Sequence, residues 1–145
     1  PTEQTARQQR DDALAQRILN QGLPAFVDFW ENIPLFASQK QLPPSTQDHH
    51  RQLRLQNNPL GLANSLRGMG TGQQPNLWPH LPTLNLPTHL IAGALDTKFV
   101  NLNQQMHAQL PQSTLTIIPQ VGHTTHLEAP HQYTNHIHAL LLPPT

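Results

Sequence analysis

The chain has 145 residues, with eight basic and eight acidic side chains, ten histidines and no cysteine. The balanced charge offers no extended field for nucleic acid or an anionic membrane, and the lack of cysteine excludes disulfides, thiolate nucleophiles and cysteine-based zinc sites. No apolar run reaches the roughly 20 residues needed to cross a bilayer. We therefore expect a cytoplasmic protein that binds neither nucleic acid nor a membrane.

The first part of the chain, residues 1–80, has a helical pattern that prolines divide repeatedly. Thr2 or Thr5 is placed to cap the first helix, and Gly22 marks its end. Later prolines mark further helix starts, because proline suits the first turn of a helix and disrupts its interior. We assign residues 1–80 to one helical segment.

The second part, residues 81–145, alternates apolar runs with helical patterns. The runs 87–92 and 113–119 contain β-branched residues and predict strands, and helical patterns follow at 99–110 and 127–142. Strand–helix–strand–helix with short connections predicts an α/β fold with a βαβα unit and two parallel strands. Two strands are fewer than a buried parallel sheet needs, so this unit is expected to be part of a larger sheet.

Two segments carry the clearest chemical signal: GALDTKF at 93–99 and GHTTHLEAP at 122–130. Asp96 and His123 each follow a predicted strand, and ligands bind at the carboxyl ends of parallel strands. A carboxylate beside an imidazole makes two thirds of a nucleophilic triad, so both are candidate catalytic residues. Each also has an ordinary alternative, since Asp96 could cap the next helix and His123 could be a simple loop histidine.

These two motifs resemble the C-terminal part of α/β-hydrolase-fold proteins. Three further segments narrow the resemblance: VDFWENIPLFASQ at 27–39, RQLRLQNNPLGLANSLRGMGTGQQP at 51–75 and DTKF at 96–99. Together they are similar to the 2-succinyl-6-hydroxy-2,4-cyclohexadiene-1-carboxylate synthases of menaquinone biosynthesis. The resemblance covers nearly the whole chain, and it makes residues 1–80 a helical cap and 81–145 the C-terminal part of the core.

The resemblance implies proton abstraction with elimination of pyruvate, performed by a Ser–His–Asp triad. Asp96 would be its carboxylate and His123 its base, while Arg7 and Arg54 would bind substrate carboxylates and Trp30 would line the pocket. Guanidinium groups suit that task because they present paired donors in a fixed fork. The alternatives are solvated arginines on polar helix faces and a tryptophan that packs in the core. Lower-ranked candidates for the carboxylate site are Arg10, Arg51 and Arg67.

The histidines do not predict a metal centre. His49 and His50 are adjacent and diverge on a helix, while His123, His126 and Glu128 form only a weak zinc-like spacing. We expect no metal and no cofactor.

The chain departs from the family in one large respect. It contains no Gly-x-Ser-x-Gly nucleophile elbow, and its serines lack the flanking glycines. Because it starts at Pro1, we expect a truncated or excised piece that is inactive alone. The alternatives are the same piece of a generic ester or carbon–carbon hydrolase, or a non-enzymatic interaction module.

The expected partners follow from this incomplete fold. A small carboxylate would be the substrate, and either a missing N-terminal half or a second copy of the chain would cover the exposed sheet edge.

Overall fold

The computed structural model describes residues 2–142, and the chain forms two compact units. The first unit comprises the chain up to Ile33 together with Pro43–Asn76. The second comprises Pro34–Leu42 together with the chain from Leu77 onward.

The first unit contains three α-helices: α1 (Glu3–Trp30), α2 (Pro44–Leu55) and α3 (Pro59–Met69). The predicted cap at Thr2 is confirmed, because its hydroxyl accepts a hydrogen bond from the Thr5 backbone N–H at 3.3 Å. The helix end predicted at Gly22 is a break within α1. Its φ of 81° breaks the helical path within α1, and glycine takes this conformation without a steric penalty.

The core of the first unit lies along α1. Ile18, Leu23, Phe26 and Val27 are buried together, and partly buried side chains of all three helices pack around them. This apolar face explains why α1 is helical despite the glycine, since tertiary packing supplies most of the stability of a helix.

The second unit contains the predicted βαβα arrangement. Strand β1 (Thr88–Gly93) pairs in parallel with β2 (Ser113–Ile118), and helix α4 (Thr97–Gln109) connects them. The register places Thr88 opposite Ser113 and Gly93 opposite Ile118. Both strands therefore end at the same level, which brings the loops after Gly93 and Ile118 to one edge of the sheet.

The closing helix differs from the prediction. Residues 127–142 were expected to form one helix, whereas the structure has a short α5 (Thr125–Glu128) followed by α6 (Pro130–Leu141). Ala129, between them, has a φ of −141° and a ψ of 63°. The cause is Pro130, because a proline disfavours the helical conformation of the residue before it.

Two 3₁₀ helices complete the second unit, at Pro34–Gln41 and Trp78–Thr83. Residues 34–42, which the sequence pattern assigned to the helical segment, belong to the second unit in the structure, where Phe36 and Gln39 contact the loop after β2. None of the helices within residues 2–142 is long and apolar enough to cross a membrane.

Candidate active site

The two strand ends are joined by backbone hydrogen bonds. The Ala94 N–H donates to the Ile118 carbonyl and the Leu95 N–H to the Val121 carbonyl, both at 2.9 Å. Gly93 permits this approach, because a Cβ at position 93 would lie only 2.1 Å from the Gly122 carbonyl oxygen. The loops that carry the predicted carboxylate and the predicted base are thereby held side by side.

Asp96 divides its two oxygens between two tasks. Its Oδ1 accepts a hydrogen bond from the Phe99 N–H at 3.2 Å, so it caps helix α4. Its Oδ2 lies 2.6 Å from Nδ1 of His123. Only 6% of the Asp96 side chain is exposed, which strengthens both interactions by keeping water away.

The contact with Asp96 fixes the chemistry of the His123 ring. A carboxylate can only accept, so Nδ1 is the donor, and in the neutral ring Nε2 is left as the proton acceptor. Two phenyl rings confine the imidazole further, with ring centroids 4.7 Å away for Phe99 and 6.0 Å away for Phe36. With 29% of its side chain exposed, His123 is oriented and still accessible, as a general base must be.

A cavity of about 430 Å³ opens at this edge of the second unit. Asp96 and His123 line it together with Ser38, Gln41 and Lys98. The cavity is thus bordered by the paired residues and by the 3₁₀ segment 34–41, which the sequence analysis did not connect with the site.

Two of the predicted substrate-binding residues meet within the first unit. Trp30 and Arg54 line one small cavity of about 170 Å³ whose other walls are mostly apolar. Nη1 of Arg54 donates to Oε1 of Glu31 at 2.9 Å. Oε2 of the same carboxylate accepts a hydrogen bond from Nη1 of Arg51 at 2.8 Å. The hydrogen bond of Arg51 to Asp28, and to a smaller extent the one to Glu31, raises the pKa of the Arg51 guanidinium.

Arg7 lies elsewhere in the first unit and is not among the residues lining that cavity. Its Nε donates to both oxygens of Asp11, at 2.9 Å and 3.0 Å, and Asp11 is almost fully buried. Of the lower-ranked arginines, Arg10 is exposed, and Arg67 pairs with Asp12 at 2.7 Å.

The other histidines and Glu128 contact protein groups of their own. The His126 ring packs near Tyr133, and Glu128 directs both oxygens to backbone N–H groups. His89 contacts the hydroxyls of Thr114 and Thr116, and burial lowers the pKa of its imidazole. Over residues 2–142, no group of three or more His, Asp or Glu side chains is arranged to hold a metal ion.

The aromatic contacts of His123 were not predicted from the sequence. Phe36 lies far from His123 in the sequence, and no periodicity connects the two. Phe99 was visible as the third residue after Asp96, but only the fold turns its ring against the imidazole.

Comparisons with known proteins identify relatives of the chain. No protein-family model matches the chain. A Bacillus subtilis (strain 168) protein assigned as a 2-succinyl-6-hydroxy-2,4-cyclohexadiene-1-carboxylate synthase is 50% identical over 128 residues, which cover 88% of this chain and 47% of the relative. The synthase of Yersinia pestis bv. Antiqua (strain Nepal516) is 34% identical, covering 97% of this chain and 50% of the relative.

Solved structures agree with the sequence relatives. MenH from S. aureus superposes with a TM-score of 0.94 at 40% identity, covering 95% of this chain and 52% of that one. A thermophilic esterase from Thermogutta terrifontis, solved with malate bound, gives a TM-score of 0.76 at 27% identity, covering 94% of this chain and 50% of that one. The chain thus spans about half the length of the relatives it matches. It belongs to the α/β-hydrolase-fold proteins, as a helical cap followed by a βαβα unit, and it resembles one part of the 2-succinyl-6-hydroxy-2,4-cyclohexadiene-1-carboxylate synthases.

Proposed function

We propose that this chain supplies the acid–base pair and the substrate-binding arginines of a 2-succinyl-6-hydroxy-2,4-cyclohexadiene-1-carboxylate synthase. The observation that carries the proposal is the 2.6 Å contact between Nδ1 of His123 and Oδ2 of Asp96, at the joined ends of two parallel strands. Similarity to synthases along nearly the whole chain supports the choice of reaction.

The proposed reaction is an elimination. Nε2 of His123 accepts the proton of a serine hydroxyl supplied by the other half of the enzyme, and the serine oxygen removes a proton from a substrate carbon. That carbon–hydrogen electron pair forms a new carbon–carbon double bond while the bond between the substrate carbon and the enolpyruvyl oxygen breaks. The leaving enolate takes up the proton held by the imidazolium and becomes pyruvate, which returns His123 to its neutral form. Asp96 stabilises the imidazolium that forms in between.

The arginines of the first unit would bind the carboxylates of the substrate. The product named by the relatives carries a succinyl carboxylate and a ring carboxylate, so the substrate is at least a dianion at neutral pH. Arg54 lies beside Trp30 at an apolar wall, with its Nη1 bonded to Glu31, and a guanidinium charge at this place suits a carboxylate attached to a ring. Arg7 is assigned to a second substrate carboxylate through the family resemblance.

The chain alone is proposed to be inactive. Within its 145 residues no serine lies in a Gly-x-Ser-x-Gly elbow, and the oxyanion donors of this fold come partly from that elbow. No serine of such an elbow would therefore be present for His123 to deprotonate.

A chimera tests the proposed function. This chain replaces the matching half of the Bacillus subtilis relative, and pyruvate release is measured with the precursor of 2-succinyl-6-hydroxy-2,4-cyclohexadiene-1-carboxylate as substrate. We expect turnover by the chimera, with a KM that rises about tenfold or more in Arg54→Ala because a charge-assisted hydrogen bond is lost. The exposed Arg10→Ala is the control with the same change of charge, and its KM should stay close to that of the unsubstituted chimera.

The second candidate function is ester hydrolysis, which the similarity to the thermophilic esterase favours. Ester hydrolysis would replace the synthase reaction as the proposed function if the chimera cleaved simple esters without releasing pyruvate. In that case Arg54→Ala should leave the KM for those esters unchanged. A chimera that folds and does neither reaction would favour a non-enzymatic interaction module.

A further inference from the structure

One carboxylate holds the loop of His123 on both sides. Oε2 of Glu128 accepts a hydrogen bond from the Gly122 N–H at 2.7 Å, and Oε1 accepts one from the Thr124 N–H at 3.1 Å. These two N–H groups directly precede and follow His123. Both oxygens of Glu128 are thus engaged with the backbone, one on each side of the proposed base.

The return contacts make this arrangement reciprocal. The Glu128 N–H donates to the Thr124 carbonyl at 2.9 Å. Gln39 donates to the Thr124 hydroxyl at 2.9 Å, which ties the 3₁₀ segment to the same loop. Hydrogen bonds from N–H groups to a carboxylate are among the strong ones, and two that diverge from one group restrict rotation as well as distance.

Gly122 lets the carboxylate reach the backbone. A Cβ at position 122 would lie 2.9 Å from Oε2 of Glu128 and 2.0 Å from Oγ of Ser38. Any side chain there would push these groups away from the main chain. The glycine and the glutamate therefore work as one unit around His123.

We propose that Glu128 is a positioning residue for His123. It fixes the backbone at positions 122 and 124, so that the imidazole points its Nδ1 at Asp96 and turns Nε2 to the reacting serine. The catalytic consequence rests on the proposed function; the positioning itself does not, because it is a property of the chain's own loop.

Isosteric replacement tests the proposal in the full chain. In Glu128→Gln one acceptor oxygen becomes an NH₂ group that faces a backbone donor, while size and shape are kept. We expect hydrogen–deuterium exchange of the Gly122 or Thr124 amide to accelerate about tenfold or more. The downfield proton resonance of the His123 Nδ1–H bonded to Asp96 should broaden or move upfield.

The control is Glu3→Gln, which makes the same change in the exposed first turn of α1. It should leave both amides and the imidazole proton unchanged. Exchange in β1 and β2 should match the unsubstituted chain in both variants, because a merely structural loss would accelerate the whole sheet. Unchanged exchange at positions 122 and 124 in Glu128→Gln would overturn the proposal, and so would acceleration throughout the sheet.

A measurement on the unsubstituted chain covers the case in which Glu128→Gln fails to fold. The Gly122 and Thr124 amides should exchange with deuterium markedly more slowly than the amides of an unstructured chain, because both donate to Glu128, and exchange at the unstructured rate would overturn the proposal. In the chimera, Glu128→Gln should lower kcat with little change in KM. The exchange and imidazole readouts need no turnover, so a failure of the proposed function is distinguishable from a failure of the positioning role.

Discussion

Asp96 makes both of the contacts that its sequence context allowed. The pattern offered a helix cap or a triad carboxylate, and the structure shows the cap on one oxygen and the imidazole contact on the other. The two roles assist each other, because the cap fixes the rotamer that presents Oδ2 to His123. A capping site at a strand end is therefore compatible with a catalytic carboxylate.

Substitution can separate these two roles. Asparagine caps helices about as well as aspartate, whereas alanine costs roughly 1 kcal/mol. We expect Asp96→Asn to change the free energy of unfolding little and Asp96→Ala to lower it by about that amount. Both should reduce pyruvate release by the chimera by about 10³-fold or more, because neither stabilises the imidazolium.

Denaturant unfolding of the chain and the pyruvate assay of the chimera measure the two effects separately. An Asp96→Asn chimera that kept most of its rate would show that the carboxylate serves only as a cap.

The residues of the site were predictable to different degrees. Asp96 and His123 stood out because each follows an apolar run and a glycine, and the parallel register confirms that they meet. Phe36 and Ser38 reach this edge only through tertiary packing of a 3₁₀ segment that lies about 50 residues before β1. Glu128 was noticed as a weak metal ligand, and its contacts with the backbone were not foreseen.

At the scale of elements, the strand ends depend on close approach of two backbones. The loop after β2 lies so near Gly93 that a methyl group there would overlap the Gly122 and Val121 carbonyl oxygens, at 2.1 Å and 2.3 Å. Backbone groups cannot rotate away as a flexible side chain could. The spacing of the two loops therefore requires glycine at position 93.

Gly93→Ala should destabilise the chain by about 1–3 kcal/mol or more, as overpacking does. Gly68→Ala is the matched control: it lies in helix α3, and a Cβ there meets nothing within 4 Å. That change should be neutral or stabilising by up to about 1 kcal/mol, because alanine favours a helix interior. Chemical denaturation measures both, and equal effects would show that the approach at Gly93 is not tight.

The order of elements was easier to predict than their limits. Periodicity and the β-branched runs indicated β1, α4 and β2, and all three are present within a few residues of the expected positions. The break between α5 and α6 was missed because apolar periodicity continues across it. The Ala129–Pro130 pair was a local signal for that break.

At the scale of the whole molecule, the sheet is incomplete within the described residues. β1 and β2 pair only with each other, and exposed apolar side chains include Ile117 on β2 and Leu141 on α6. Unpaired strand edges and exposed apolar surface favour association with another chain. Self-association of this chain therefore stays a prediction.

Sedimentation velocity over a range of concentrations tests self-association. We expect the average mass to rise with concentration, and Ile117→Lys on β2 to weaken that rise because a lysine on an edge strand opposes pairing. Leu60→Lys on α3 is the control, since Leu60 is exposed as well but lies on a helix of the first unit. A strictly monomeric chain at high concentration would contradict the prediction.

The central claim is that the Asp96–His123 pair becomes catalytic only with the nucleophile-bearing half of a synthase. The most direct test compares pyruvate release by the isolated chain, by the chimera and by the His123→Ala chimera under identical conditions. We expect no turnover by the isolated chain, measurable turnover by the chimera, and a loss of about 10³-fold or more in His123→Ala. Turnover by the isolated chain, or a His123→Ala chimera as active as the unsubstituted one, would contradict the claim.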